Sequence, residues 1–548
     1  MKLVLTGSAA WTAAGPDAAS LFELLQQRGS AFSEAPPYAA EGLSSPACAS
    51  IAQLDRERAA EQLLETVVRQ ALERSGASGR VGLVAGTSSG NICGPWERWH
   101  RAHLQGEELD EEGTWRQDPS AVVAQRLGLV KHCTVSVACA SGTAGLAVAQ
   151  GWLQDELVDA VVVAGFDALS LYVHAGFNGL GALSASRPRP FSGERDGLLL
   201  GEGAGACVLE PQRSAHTRGA TVLAELRGTG LSADGVHMTA PDREGKGAAQ
   251  AMRSALDEAG VQPEQIDMVS LHATGTRFND GMEAHALASI LGDRPVGFFG
   301  VKQAIGHTLG AAGAIETAVL LEAMARGQQP PAPPTLDPEL PVTPAPQSPP
   351  APGLVLSTNS AFGGANAAAV FALPGRLPEP AAARPRPVKL LGQATLEAAE
   401  GEKLGLRWPE APERFRRLNR YVRAGLLVVR ELFEQTGVPG PHTGVVLASA
   451  SNCRATDLRY HQRLVQRGAA KAPRVEFIYT IPGAPAGEAA ILWTLRGPTL
   501  SLCGHEHEAI DEAERLIRWG RAEQLVALWI EAPEPRGPVR ASARLLSS

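Results

Sequence analysis

The stretch Ser136-Val137-Ala138-Cys139-Ala140-Ser141-Gly142-Thr143 decides the fold. An apolar strand pattern, Cys133–Ala138, ends in small residues around one cysteine, and a helical pattern, Thr143–Gln154, starts at once. A strand–turn–helix elbow of this kind sets the Cys139 thiol at a helix N-terminus, where the dipole stabilises thiolate and lowers the thiol pKa. Small neighbours leave room for a substrate carbonyl. Alone, the cysteine has a plainer reading, because free Cys is ordinarily a buried small hydrophobe. The surrounding chain decides between the two.

Working outward, strand-like runs recur at Gly82–Gly86, Ala160–Ala164, Met268–His272, Leu354–Thr358 and Ala368–Leu373. Amphipathic helical stretches alternate with them: Glu57–Ser75, Thr143–Gln154, Gly247–Ala259 and Gly310–Arg326. Such alternation predicts an α/β architecture with buried sheets. The proline-dense run Gln329–Gly353 leads straight into a strand and reads as a long surface loop, whereas the Pro/Ala/Arg-rich run 374–387 reads as a linker. At 548 residues the chain exceeds one ordinary core. A net charge of −8 and a pI near 6.0 give no global case for nucleic-acid binding. No apolar run is long enough to span a bilayer, and Met1-Lys2-Leu3-Val4-Leu5-Thr6-Gly7 reads as a first buried strand rather than a signal peptide. Seven scattered cysteines without a C-x-x-C spacing fit a reducing cytoplasm.

Two histidines follow at later strand ends. His272-Ala273-Thr274-Gly275-Thr276 opens a polar turn before a helix carrying Asp280 and Glu283. Lys302-Gln303-Ala304-Ile305-Gly306-His307 precedes a small-residue helix carrying Glu316. Arg189-Pro190-Phe191-Ser192-Gly193-Glu194-Arg195-Asp196-Gly197 runs into Gly201-Glu202-Gly203-Ala204-Gly205, and Asn359-Ser360-Ala361-Phe362-Gly363-Gly364-Ala365-Asn366 forms a glycine-rich loop near the end. In this order, the five motifs resemble a decarboxylating β-ketoacyl synthase over residues 1–373. The resemblance implies a thiolase-type layered αβαβα fold with two halves, roughly 1–212 and 213–373. It implies Cys139 as the acyl-carrying nucleophile and His272 and His307 as donors to a malonyl-derived enolate. Backbone N–H groups of Cys139 and the closing loop would form the oxyanion hole. Lys302 with Glu316 would be a charged pair ordering the His loops, with Asp280 and Glu283 in similar support. No metal or redox cofactor is implied; the substrates ride on the phosphopantetheine of an acyl carrier protein. Fatty-acid members usually carry a gating Phe two positions before Phe-Gly-Gly, and Ser360 stands there, so a smaller, more polar gate is expected.

The remaining residues, 388–548, repeat the first half in diverged form. Gly82–Ser88 matches Gly444–Ala450 at an offset of 362; Thr134–Val137 matches Thr499–Leu502 and Ala160–Ala164 matches Leu525–Trp529 at 365. Cys139 falls on Gly504, and both catalytic-His regions lie in the half that is not repeated, so the tail cannot condense. Cys503 is one position early and faces the other way along the strand. Cys503, His505 and His507 offer metal donors, but alternating residues on a turn converge poorly for a structural zinc site. The tail resembles a truncated chain-length-factor-like partner. It keeps the strand Thr499–Leu502, which pairs subunits in this family, and the helix after it, Glu506–Trp519, and a linker reaching at most about 50 Å lets it dock in cis. The expected assembly is an intramolecular pseudo-heterodimer, with an appended domain on a homodimer as the alternative.

The expected function is decarboxylative Claisen condensation in a type II polyketide route, aryl polyene-like in outline. Fatty-acid elongation is the alternative, and a non-catalytic chain-length factor the alternative of another class. A free-coenzyme-A thiolase would carry a second Cys where His307 stands. Arg56, Arg58, Arg187 and Arg189 are candidates for a basic patch facing the acidic carrier.

Overall fold

The computed structural model describes residues 1–548 apart from 91, 93–101, 103–104, 107–117, 346–348 and 382; Cys93, part of the long loop and one linker position lie outside the described residues. Seventeen strands are present among the described residues. In chain order they are β1 (Leu3–Thr12), β2 (Cys48–Ala49), β3 (Val81–Gly86), β4 (Lys131–Val135), β5 (Ala160–Asp167), β6 (Leu200–Gly201), β7 (Gly203–Pro211), β8 (Ala224–Ala233) and β9 (Met268–Ser270). After them come β10 (Gly297–Phe299), β11 (Leu354–Ser360), β12 (Ala365–Ala372), β13 (Lys389–Ala398), β14 (Gly444–Ser449), β15 (Thr499–Cys503), β16 (Gln524–Glu531) and β17 (Val539–Ser547). All but β2 and β6 join one ladder, β10-β9-β11-β12-β8-β1-β7-β5-β3-β4-β15-β14-β16-β17-β13.

That ladder is one five-strand unit used three times. Each of β1-β7-β5-β3-β4, β8-β12-β11-β9-β10 and β13-β17-β16-β14-β15 has its first, fifth, fourth, second and third strand in that order. In each, the second, third and fourth strands are parallel, and the fifth runs antiparallel to both of its neighbours, the fourth and the first. The first two units meet through their first strands, Leu3–Leu5 of β1 against Ala224–Leu226 of β8. The first and third meet through their third strands, Leu502 opposite Val135 and Cys503 opposite Thr134. The Ser136 N–H donates to the Ser501 carbonyl at 2.8 Å across the same seam. The repeat seen in the sequence thus extends across all five strands of the tail.

Two helices fill the space between the first two sheets. Helix Ser141–Gln154 packs on β3 and β5 and also on β8, β11 and β12; helix Ala312–Arg326 packs on β1, β5 and β7 and also on β11. Covered from both sides, both are buried around nearly their whole circumference. The amphipathic pattern expected of these two stretches is therefore not what they carry. A helix between two apolar sheets has no wet face to make polar. Close approach demands small residues: a Cβ on Gly142 would lie 2.7 Å from the Ala314 backbone nitrogen. Helices Ala59–Ser75 and Lys246–Ala259 cover the outer faces, on β1, β5 and β7 and on β8 and β12, completing the αβαβα layering.

The tail has one covered face and one shared face. Val445, Leu447, Val526 and Leu528 pack with helix Arg420–Thr436 in the tail's own core. The alternate residues Val446, Ala448, Leu500 and Leu502 belong instead to the core that contains Leu146, Ala149 and Trp152 of the first unit. Polar groups close the seam: Asp155 accepts from Arg515 (3.0 Å), Arg518 (3.1 Å) and the Trp519 indole (2.8 Å). Among the described residues, no helix is long and apolar enough to cross a membrane.

Candidate active site

β4 stops at Val135, three residues before the end expected from the sequence, and the chain turns sharply into a 3-10 turn, Ala138–Ala140, that feeds helix Ser141–Gln154. Ala138 is held at φ 48°, a left-handed conformation that costs a non-glycine residue of order 1–3 kcal/mol. Ser141 secures it, accepting from the Val137 N–H at 3.0 Å and donating to the Ala138 carbonyl at 2.6 Å. No side chain caps the helix, so the elbow is given over to the Cys139 thiol.

The structure brings the three distant motifs together. Ligand atoms of Cys139, His272 and His307 lie within 4.8 Å of one another, all buried, and the two imidazole rings stand 5.1 Å apart and nearly perpendicular. The hydrogen-bond partners assign both tautomers. His307 Nδ1 accepts the Leu309 N–H at 3.2 Å. His272 Nδ1 lies 3.1 Å from the Asn359 side-chain nitrogen, a donor. Nε2 therefore carries the proton in each ring. Burial, aided by the Lys302 ammonium, holds both imidazoles well below the usual histidine range, so both are neutral donors. With Nδ1 engaged and Nε2 protonated, neither ring offers a lone pair to a metal, although the trio has metal-like spacing. Burial also pushes the Cys139 thiol up to about 12, with Lys302 pulling the other way. Desolvation thus works against the lowering expected from the helix N-terminus.

The supporting residues fall where the sequence places them, with two additions. Lys302 donates to Glu316 at 2.6 Å, the pair fully buried. Glu283 accepts the backbone N–H groups of His272 (2.6 Å) and Ala273 (2.7 Å), and burial pushes its carboxyl up to about 8. Asp280 accepts from the Phe191 N–H at 2.8 Å and the Gly275 N–H at 3.2 Å, pushed by burial up to about 6. Asn359 is the first addition. Its amide nitrogen also donates to Glu316 at 2.8 Å, and its oxygen accepts from Thr143, so it ties the Lys–Glu pair to the His272 tautomer. Asp167 is the second: it accepts from the backbone of Ser88, Ser89 and Gly310 and so joins the β3 turn to the loop after His307. A buried acid closing the apolar run Val161-Val162-Val163-Ala164-Gly165-Phe166-Asp167 was the available signal.

Cys139 lies between two cavities. A cavity of about 460 Å³ reaches it past His272, His307, Thr274 and Thr276. A smaller one, about 50 Å³, lies beyond, with Ile92 and Leu309 in its wall and Phe477, Thr480 and Ile481 contributed by the tail. Phe177 and Phe362 line both and stack at 5.8 Å. The aromatic group at the junction is therefore Phe362. Ser360 lines only the larger cavity, and its hydroxyl donates to Asn366 at 2.7 Å. Phe477 is seated on Gly176, where a Cβ would lie 2.3 Å from the ring. The tail is thus close to the Cys139 thiol, although its own Cys503 is not a counterpart of it. Cys503 sits on β15 with Asn452 donating to its sulfur at 3.4 Å, and burial pushes it up to about 12. Cys503, His505 and His507 do not converge as a metal-ligand group among the described residues. Of the four arginines expected on the surface patch, Arg56 is drawn in against Glu202, Arg58 pairs with Glu61, and Arg189 pairs with Glu194. Only Arg187 is exposed without an ion pair among the described residues.

Comparison with known proteins agrees with this fold. The family described as "Beta-ketoacyl synthase, N-terminal domain" matches residues 2–215, and "Beta-ketoacyl synthase, C-terminal domain" matches 223–335. Nodulation protein E of Rhizobium meliloti is 32% identical over 397 residues, covering 68% of this chain and 98% of that protein. The mitochondrial 3-oxoacyl-(acyl-carrier-protein) synthase of Arabidopsis thaliana is 41% identical over 214 residues, 36% of this chain and 46% of that protein, less than half its length. Among solved structures, "The ishigamide ketosynthase/chain length factor" superposes with TM-score 0.63 at 30% identity, covering 68% of this chain and 99% of that one. "PfaC Keto synthase-Chain length factor" covers 100% of this chain and 78% of its own at TM-score 0.80 and 16% identity, a likeness of fold that includes the tail. Motifs, fold and relatives converge: the chain belongs to the β-ketoacyl synthase family.

Proposed function

We propose that this protein catalyses decarboxylative Claisen condensation, joining an acyl group held on Cys139 to malonyl delivered on an acyl carrier protein. The observation that carries the reading is a buried thiol facing two neutral imidazoles, each with its proton on Nε2. In the first step the acyl carbonyl passes from the carrier's sulfur to Cys139, and the thiol proton leaves with the carrier's sulfur. The backbone N–H groups of Cys139 and Phe362 serve the tetrahedral oxyanion. In the second step malonyl loses CO₂, and its thioester oxygen takes the developing negative charge against the Nε2–H groups of His272 and His307. The carbanion attacks the acyl carbonyl, the β-ketoacyl carrier leaves, and the Cys139 thiolate regains a proton from water. The reaction calls on no metal or redox cofactor.

Residues 1–373 act as the synthase, 374–387 as the linker and 388–548 as a chain-length-factor-like partner docked in cis as a pseudo-heterodimer. The hydrogen bonds between β15 and β4, and Phe477, Thr480 and Ile481 in the wall of the small cavity, support that assignment. A type II polyketide route fits a synthase joined to such a partner; fatty-acid elongation uses the same chemistry. The test is to mix the protein with acyl- and malonyl-loaded carriers and measure Cys139 acylation and CO₂ release separately. His272→Ala and His307→Ala are expected to keep acylation and lose about 10²–10³ in CO₂ release, as removal of one charge-stabilising donor does. CO₂ release at the wild-type rate in both variants would refute the roles given to the imidazoles.

A further inference from the structure

The tail reaches the closing loop as well as the small cavity. Helix Ala484–Trp493 is buried from Ala484 to Ala490 and packs on helix Arg420–Thr436, β14 and β15. Its Glu488 is 1% exposed and accepts from Arg414 at 2.9 Å and from the Tyr479 hydroxyl at 2.8 Å, which fixes the helix in the tail. Gly487 stands inside this helix. Glycine there is destabilising relative to alanine, and close approach requires it. A Cβ on Gly487 would lie 2.9 Å from the Gly363 carbonyl oxygen, 3.0 Å from the Gly363 Cα and 3.1 Å from the Met238 sulfur. Two of these three atoms are backbone and cannot swing aside as a side chain can.

Gly363 and Met238 belong to the surroundings of Cys139. Gly363 follows Phe362, whose N–H is assigned above to the oxyanion, and it holds φ 87°. Its own N–H donates to the Met238 carbonyl at 2.7 Å, and the Gly364 carbonyl accepts the Asp234 N–H at 2.7 Å. Met238 and Asp234 line the larger cavity. The tail binds the same segment from the other side. Ala233 and Met238 are members of the tail's own core, together with Ala484, Ala486, Ala489 and Ala490. The Ala233 N–H donates to the Arg496 carbonyl at 3.2 Å. At Gly235, with φ 62°, a Cβ would lie 3.2 Å from the carbonyl oxygens of Ala490 and Leu495. Residues 233–238 thus hold the closing loop, and the tail holds residues 233–238.

We propose that helix Ala484–Trp493 sets the closing loop, with Gly487 as the positioning residue, so that the tail governs acyl transfer to Cys139 as well as walling the small cavity. The inference rests on the condensing function proposed above. Oxyanion donors must already be in place when charge develops, and a buried helix seated against the loop's own backbone supplies that constraint. A side chain at 487 would displace the loop rather than the donor, so its effect falls on the rate of the bound donor and not on its affinity.

The test follows Cys139 acylation of the full-length protein by hexanoyl-N-acetylcysteamine in wild type, Gly487→Ala and Gly487→Val. The valine variant is expected to lose about tenfold in the maximal acylation rate, part of the ~10²–10³ that one oxyanion donor supplies, with an unchanged half-saturating concentration. The alanine variant should lose less. Amide exchange in the same proteins should rise at residues 361–364 and keep the wild-type level at β15 and β4. Wild-type rates in both variants, or a change confined to the half-saturating concentration, would overturn the proposal. Exchange rising equally at β15 and β4 would also overturn it, because the tail would then act only by docking. Wild type acylated neither by this donor nor by hexanoyl on an acyl carrier protein would instead refute the condensing function. In that event exchange at 361–364 decides by itself: a rise in Gly487→Val supports the coupling, and an unchanged level overturns it.

Discussion

Helices Ser141–Gln154 and Glu506–Arg518 occupy the same place in two copies of one unit, and they could hardly differ more. The first is small and apolar, Ser141-Gly142-Thr143-Ala144-Gly145-Leu146-Ala147-Val148, and buried on every side. The second is Glu506-His507-Glu508-Ala509-Ile510-Asp511-Glu512-Ala513-Glu514-Arg515, with one buried face. The difference follows from what covers them. The first lies under a second sheet, β8 to β12, whereas the tail has no second sheet, so the outer face of its helix meets water and becomes charged. The helix starts differ in the same sense. The first has no side-chain cap and a strained Ala138 before its thiol, while in the second the Glu508 carboxylate accepts the His505 N–H at 2.8 Å. With Gly504 where the first unit has Cys139, the tail elbow has taken the stabilising option.

The turns after the second strands repeat this lesson. Gly90 N–H donates to Thr87 Oγ1 at 2.8 Å, and in the tail Asn452 N–H donates to Ser449 Oγ at 2.8 Å. Both turns need positive φ, 56° at Gly90 and 46° at Asn452. Only the first is clamped by a buried carboxylate, Asp167, because only there must the turn be tied to a histidine loop. The first strands also share a register shift, Leu5/Gly7 in β1 and Leu390/Gly392 in β13. β1 is covered there by β8, but β13 is an open edge with Leu390 52% and Leu391 49% exposed.

The comparison can be broken most forcefully at the seam between the copies. Arg515 is 8% exposed and pairs with Asp155 and Glu512. Arg515→Ala leaves Glu512 buried without its partner and is expected to cost about 3–5 kcal/mol, seen as lowered thermal stability and faster hydrogen exchange at β15 and β4. Unchanged exchange there would mean that the tail is held by its apolar face alone. A smaller effect is expected from pH. Burial pushes Asp457 from 3.8 up to about 7. Its contribution to stability is therefore complete below about pH 4 and is lost as pH rises through 7. The wild-type melting temperature should fall across that window more than that of Asp457→Asn; parallel profiles would exclude Asp457 as the titrating group. The smallest effect is at the start of the tail helix, where Glu508→Ala removes the acceptor of the His505 N–H and should cost about 1 kcal/mol in thermal stability and leave Cys139 acylation untouched. A loss of acylation would show that the tail elbow is coupled to the active one.

Much of this was legible in the sequence. Cys139, His272 and His307 stood in motifs with strong local signals, and Lys302, Glu316, Asp280 and Glu283 were placed by the same stretches. The tail's descent showed in three strands. Its first and fifth strands were hidden, because β1 and β13 share little beyond a Leu-x-Gly step. What the sequence could not carry was environment. The rise of the Cys139 pKa depends on burial by residues far along the chain. The role of Asn359 depends on meeting Thr143, Glu316 and His272 at once. The position of Phe362 at the junction depends on its stacking with Phe177, and the fate of Arg56 on Glu202, 146 residues away. Each is a tertiary contact with no trace in local spacing.

The central claim is that one elbow does the chemistry and its copy does none. Intact-protein and peptide mass spectrometry after mixing with an acyl-loaded carrier tests it most directly. The account predicts one acyl group per chain, mapped to Cys139, with none on Cys503 and none on Cys139→Ala. An adduct on Cys503, or one that survives in Cys139→Ala, would contradict it.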